Sequence, residues 1–426
     1  MAIEDFGKPV VLLANNGFVT DAQSAASGRG MPGIRIVGES VACESTVKAD
    51  IEEGIAAAMK DVVEGLTRPL SPEEKSPKQQ TGKTPRIAFK GSLQDVNRFY
   101  YRKGWTDGLP IIPPTEEAVA EMMTGTDLAP DHIVATIIPR KGKATIEKIA
   151  VNAVMAGALP TYMPVLIAAV QSFADPKTRF DTFEVSTGSW APFLAINGRI
   201  RNDINVNCSS GALSPGNIAN AAIGRAVGLI VKNIGGARKA VEDMGVIGNP
   251  GKYSLVIGED EEASPWEPLS VERGFKKEDN TLTVFFPNTF IQTVPGGTDA
   301  KGILNTLAGM VTSTMSSLII IPSWAKVLSS EGYTRQKVKE YLATHGTPER
   351  SSVVGFSSAA GPPKMDLDKS LMILVAGGPG SFIALLRSAG PGFFENSIVT
   401  KKIELPKNWD KLVAKYKDIK PNYEKY

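Results

Sequence analysis

Two cysteines, a few carboxylates and a cluster of amides mark where this chain could do chemistry. Cys208 lies in the run 205–236, NVNCSSGALSPGNIANAAIGRAVGLIVKNIGG, which reads as a strand end, a loop of small residues and a long helix. A Ser/Gly loop ahead of a helix exposes backbone N–H groups, and such a place binds an anion or lowers a thiol pKa. Three readings of Cys208 stand open. A nucleophilic or redox thiol needs a base, and neither His132 nor His345 can be assigned that role from sequence. A substrate-contact loop needs only its N–H groups with Asn207, Ser209, Asn217 and Asn220; the last two share one face of an otherwise apolar helix. A core residue needs nothing. Cys43, in ESVACEST ahead of an acidic helix, is either a thiol at a helix N-terminus or a small buried residue whose neighbour Glu44 opposes activation.

The acids come next. Glu262 and Glu267 follow the apolar strand KYSLVIG, in an acidic run that leads into a stiff Pro-Trp-Glu-Pro containing Trp266. Sites in α/β folds gather after strands, so these two are the acid–base or metal candidates. The rigid loop GWTDGLPIIPPT (104–115) offers Trp105 and Asp107 as pocket residues, or else is a structural turn with Trp105 packed on the core. Two loops could hold an anion. One is the basic stretch at Arg140, Lys141 and Lys143; the other is GGPGS with Gly378, Gly380 and Ser381, read as strand, glycine loop and short helix. Neither is a P-loop nor a GxGxxG fingerprint, so no cofactor is indicated by motif. Two histidines and two cysteines form no zinc cluster or iron triad, and no metal ligands are assigned; a carboxylate-only Mg²⁺ or Ca²⁺ site stays open.

The elements that must position these residues read as α/β throughout. PVVLLA (9–14) is a continuous apolar strand of the kind buried on both faces. A small-residue helix over 20–27 and a second strand over 34–37 follow it. Val47, Ile51, Ile55, Met59, Val62, Val63 and Leu66 give a strong amphipathic helix over 46–66. Two strands and two helices are half of a doubly wound, flavodoxin-like domain and cannot bury such strands alone. Residues 68–91 read as a linker, and 92–426 as a large mixed α/β domain with buried helices. Within it, a helix is capped by Ser214 and stopped at Gly235-Gly236. Its Gly224 and Gly228 would let another backbone come close. Residues 180–196 and 199–206 read as strands, and the Lys- and Tyr-rich tail 400–426 as lying on the surface or along a partner.

Residues 8–67, KPVVLLANNGFVTDAQSAASGRGMPGIRIVGESVACESTVKADIEEGIAAAMKDVVEGLT, resemble the C-terminal half of the UGSC-type family. That family is named for a selenocysteine-or-cysteine Gly-Ser-Cys motif in its N-terminal half. The likeness rests on the strand–turn–helix layout, the GMPG-strand and the closing acidic helix. No Cys-Gly-Ser-Cys run occurs here, so the family's redox pair is not carried over. The resemblance instead implies a partner subunit that supplies the missing half. GWTDGLPIIPPT and EEASPWEPLSVERGF are similar to the larger domain found in or beside such proteins.

The composition of the 426 residues is that of an ordinary globular chain, 42% apolar and 22% charged. Its net charge of +2 points to neither nucleic acid nor membrane. The first residues carry no leader pattern, so a cytoplasmic location is the default expectation. The expectation is a subunit of an enzyme acting on a small polar organic molecule. The family likeness implies thiol- or selenol-dependent redox or carbon–heteroatom bond cleavage, with a site shared between subunits. The rival class is a non-catalytic binding or scaffolding subunit of a hetero-oligomer.

Overall fold

The computed structural model describes residues 7–28, 30–43, 45–75, 85–311, 315–346, 366–388 and 397–420. It is an α/β protein. The N-terminal unit runs β1 (Val11–Asn15), α1 (Val19–Gly28), β2 (Arg35–Glu39) and α2 (Lys48–Thr67). β1 and β2 pair in parallel, with Leu12 opposite Ile36, and α1 provides the crossover that a parallel pair requires. The apolar strand expected to be buried on both faces is not buried in this chain. Leu12 and Leu13, which point to opposite faces, are 40% and 39% exposed. The packing face of α2 also differs from the expected stripe. Gly54 and Gly65 let the helix close on Val41 and Val11, whereas Val47, Ile51, Met59, Val63 and Leu66 stay exposed. Small residues permit the closer approach, so the bulky stripe faces outward.

The segment read as linker begins with structure. Arg35 reaches the carbonyls of Gly65 and Arg68 and pairs with Glu74 at 3.0 Å, which fixes the turn Pro72–Lys75. Residues 76–84 lie outside the described residues. The unit also docks on the rest of the chain: the Ser24 hydroxyl bonds the Glu242 carboxylate, and Gly28 lies against Arg140.

The large domain opens with α3 (Leu93–Arg102) and α4 (Glu116–Met123), capped by Ser92 and Thr115. A hairpin of β3 (Ile133–Ile137) and β4 (Gly142–Thr145) then leads into α5 (Ile146–Ala156), which ends at Gly157 with φ +80°, and α6 (Met163–Ala174). Then come β5 (Phe193–Asn197), α7 (Ile218–Ile230), β6 (Val256–Gly258), β7 (Thr281–Phe285) and β8 (Thr289–Thr293). The chain continues through α8 (Ala300–Met310), β9 (Ser316–Ile320), α9 (Pro322–Ser330), α10 (Arg335–His345) and β10 (Leu371–Val375), and finishes with β11 (Ile383–Arg387), β12 (Val399–Lys402) and α11 (Trp409–Tyr416). Among the described residues no helix is long and apolar enough to cross a membrane.

These strands build two four-stranded sheets of matching spatial order, β12-β7-β5-β6 and β8-β11-β9-β10, though the edge strand comes last along the chain in the first and first in the second. In each, an inner strand (β5 or β9) pairs in parallel with the strand beyond a helical crossover (β6 or β10). In each, an antiparallel strand (β7 or β11) lies on the other side and an edge strand closes the row. The second sheet is buried on both faces at β9 and β10 and opens to solvent at its edge strand β8. Ile373, Leu318, Ile320 and Leu385 turn to α8, α9 and α10, and Met372, Leu374 and Leu386 turn to the core of the first half. This is why its strands read as unbroken apolar runs.

Several sequence expectations change here. Residues 180–183 form a helical turn, so only β5 remains of the strands read over 180–196. Residues 200–203 are helical too, because Asn280 accepts the Ile200 N–H and Gly198 turns at φ +91°. As far as residue 420 the tail is no loose surface segment, and 421–426 lie outside the described residues. β12 pairs with β7, and Trp409 and Tyr416 are buried.

Candidate functional site

The site is organised by α7. Its small residues let backbone lie against it: a Cβ on Gly224 would meet Ser254 Cα at 2.7 Å, and one on Gly228 would meet the Lys252 carbonyl at 2.8 Å. The sequence predicts a start at Ser214, but Gly216 takes φ +133° and the helix begins at Ile218. Its end at Gly235-Gly236 is as expected, after a widened last turn, with Gly236 at φ +86°.

Arg225 is the sole charged residue within α7. It grips Asp107 through two bonds of 2.7 and 3.0 Å and also donates to the Pro110 carbonyl at 2.7 Å. Lys232 donates to the Thr106 carbonyl and Asn233 to that of Trp105. The GWTDGLP loop is therefore pinned along the helix. Trp105 itself packs edge-on to Phe99 and Tyr100, which is the structural role weighed for it, while Asp107 turns into a cavity.

That cavity measures about 210 Å³. Four cations line it (Arg225, Lys232, Lys239 and Lys252) against two carboxylates already paired, Asp107 with Arg225 and Asp243 with Lys252. Burial holds the Lys232 ammonium below its ordinary pKa, with Asp107 opposing. Glu184 completes the lining. It is 7% exposed, and among the described residues its carboxyl accepts no hydrogen bond. Burial pushes its pKa up to about 8; Lys252 opposes the rise and Asp243 adds to it.

The Cys208 loop stands at the other end of α7, where the two sheets meet. The Gly377 N–H donates to the Cys208 carbonyl, the Asp260 N–H donates to that of Val375, and Gly378 lies against Ser210. The loop and the glycine stretch thus face one cleft of about 280 Å³, shared by Gly211, Ser214, Gly378, Gly380 and Ser381. The expected helix after this stretch is instead β11, an antiparallel strand, so no helix begins at Ser381. Asn220 is no pocket residue. Its amide donates to the carbonyls of Val256, Ala212 and Asn207 and accepts the Asn207 N–H at 2.7 Å, fixing the loop. Asn207 in turn accepts from Ser209 and donates to the Ser210 carbonyl, and Asn217 stands immediately before the helix. The Cys208 thiol is pushed up, by burial first and by Asp260 second, with Arg201 opposing. Nothing there lowers a thiol pKa on balance.

The acid–base candidates serve other ends. Glu262 binds Arg201 through two bonds of 3.0 and 3.2 Å, and the guanidinium holds its carboxyl below the usual range. Glu267 sits 3.6 Å from Lys277 and, with Trp266, lines an open cleft of about 600 Å³. The Trp266 indole donates to the Tyr333 carbonyl. Arg140 is exposed on the β3–β4 turn, beside Gly236. Cys43 is exposed.

The structure therefore brings Cys208, Ser209, Gly378 and Ser381 into one neighbourhood and sets Asp107 in another. Glu267 and Trp266 occupy a third, Glu262 reaches the Cys208 neighbourhood through Arg201, and Arg140 stands apart. Sequence reasoning missed Arg225, Lys232, Lys252, Asp243 and Glu184. A signal existed for Arg225, a lone charge on an apolar helix; Glu184 carried none. No family model, curated protein or solved structure matches this chain.

Proposed function

We propose that this chain is an enzyme, or the catalytic subunit of one, that acts on a small polar organic anion held in the cavity beneath α7. The observation that carries this reading is the charge imbalance there: four cations line about 210 Å³, two paired carboxylates offset them, and burial keeps the third carboxyl, Glu184, protonated. A compact anion restores the balance, and low-dielectric walls strengthen the attraction. Proton-transfer chemistry at such an anion, including carbon–heteroatom bond cleavage, suits the groups present better than thiol chemistry, since burial disfavours the Cys208 thiolate.

The test is calorimetric titration of the full chain with malonate, a small dianion. Binding is expected, and Lys252→Met together with Arg225→Met should weaken it at least tenfold. Unchanged affinity in the double variant sinks the reading.

A partner subunit belongs to the same proposal. The exposed Leu12 and Leu13 on the open two-stranded sheet, with the outward stripe of α2, favour a second polypeptide against the N-terminal unit. The UGSC-type resemblance and a flavodoxin-like completion of that sheet point the same way. Light scattering of the co-purified complex checks it, and a chain that stays monomeric beside every co-expressed neighbour counts against it.

A further inference from the structure

We infer that Glu184 is the proton-donating residue of the α7 cavity, and that the molecule bound there is a compact oxyanion that accepts a hydrogen bond from it. This rests on the anion reading of the cavity and deepens it. The geometry has three parts. First, Glu184 is more than nine-tenths buried and faces the cavity, yet no described residue donates to its carboxyl. Buried carboxyls are ordinarily satisfied, so an unsatisfied one lining a polar cavity awaits a partner from outside the chain. Second, three of the four lining cations are already engaged, and the fourth, Lys239, is exposed. Lys252 is paired with Asp243, Arg225 with Asp107, and Lys232 with the Thr106 carbonyl. Third, the space is small. At ~30 Å³ per water, 210 Å³ holds about seven waters' worth of ligand, so a bound molecule reaches Glu184 and the cations at once.

The groups that face Glu184 come from several elements. Lys252 and Asp243 act on it from the segment ahead of β6, and Arg225 and Lys232 line the same cavity from α7 and its last turn. Lys239 and Tyr253 close the wall, and Asp107 stands across from them. Held neutral among these groups, Glu184 keeps its proton at neutral pH, as a general acid must. In the step, the proton leaves a Glu184 carboxyl oxygen for an oxygen of the bound anion. The electron pair of the broken O–H bond stays on Glu184, whose carboxylate then faces Lys252, and water returns the proton. Nothing is oxidised or reduced.

The experiment is calorimetric titration of wild-type chain and Glu184→Gln with malonate and with sulfate, neither of which titrates near pH 8. Wild-type affinity should be flat below the midpoint and fall about tenfold per pH unit above it, with one proton taken up per anion. Glu184→Gln, which is always neutral, should bind without that slope. The wild-type protein alone should also show an infrared band of a protonated carboxyl at pH 7 that titrates near pH 8 and is missing from the variant. Binding with no slope in either protein, or the same slope in both, overturns the inference and leaves the anion site standing. Absence of binding at every pH removes the site and the inference together.

Discussion

In the first sheet the step from β5 to β6 passes through α7, whose glycines let backbone crowd in and whose single charge reaches outward. In the second, the step from β9 to β10 passes through α9 and α10, which bury Ala325, Leu328, Val338 and Leu342 in a plain apolar core. The strand orders are the same. The side chains around the crossovers are not: the cavity beside α7 is small and lined by four cations, whereas the start of α10 opens on a wider cleft where Glu261, Glu267 and Glu272 meet Lys277 and Arg335. The buried charges of α10 point back at the first half: Arg335 pairs with Glu259, and Lys339 with Glu272. A shared layout thus fixes where crossovers lie, while glycine placement and charge decide what kind of cavity each crossover carries.

The largest effect should come from cutting the tie between the halves. Glu259 is fully buried and also accepts from Asn197 and from the Leu269 N–H. Arg335→Ala leaves it buried without its cation, and a loss of ~3–5 kcal/mol is expected in urea unfolding. A loss below ~1 kcal/mol would mean that the halves do not depend on this pair. Next comes the glycine contrast. Gly224→Ala drives a Cβ into Ser254 and should cost ~1–3 kcal/mol. Gly309→Ala, in α8 of the second half, meets nothing within 4 Å and should gain ~0.5–1 kcal/mol. Equal effects at the two positions would erase the distinction drawn between the crossovers.

The pH dependence separates the halves again. Glu184 ionises near 4.5 when unfolded and near 8 when folded. Between those values the unfolded chain has released a proton that the folded chain retains, so this group lowers stability as pH rises from about 4.5 to about 8, and its effect then levels off. Glu184→Gln should flatten that slope, by a few kcal/mol across the window. Melting temperatures measured from about pH 5 to about pH 9 check the sign, and a wild-type curve that climbs throughout would contradict it.

Local signals carried much of this fold. Ser92, Thr115, Thr145 and Thr334 cap helices through side-chain oxygens, and the apolar runs at β7, β9 and β10 are strands because both their faces are covered. What failed was non-local. IALLR after the glycine stretch suits a helix as well as a strand, and β9 and β8 decide it. VTKK at β12 is polar and short, and only β7 makes it a strand. The repeated strand order left no repeat in the residues. In the cavity, Asp107 was legible from its rigid loop. Glu184 and Lys232 belong to no common motif, and they meet only because the fold brings the turn after α6 against the end of α7.

The smallest effect should fall on the residue that looked most chemical in the sequence. Cys208 holds its loop through its backbone carbonyl, which accepts from the Gly377 N–H, while Asn220 and Asn207 fix the rest. Its side chain rests near Gly258 and beside the Arg201 guanidinium. Cys208→Ser keeps all of these contacts and should change stability by less than ~1 kcal/mol, with malonate affinity unaltered. The thiol is raised by burial and by Asp260, so its thiolate fraction at neutral pH is small. Alkylation with iodoacetamide at about pH 7.5, read by peptide mass, should modify the exposed Cys43 first and Cys208 much more slowly. Fast, selective modification of Cys208, or loss of anion binding in Cys208→Ser, would return the thiol to the chemistry and move the site from the middle of α7 to the cleft between the sheets.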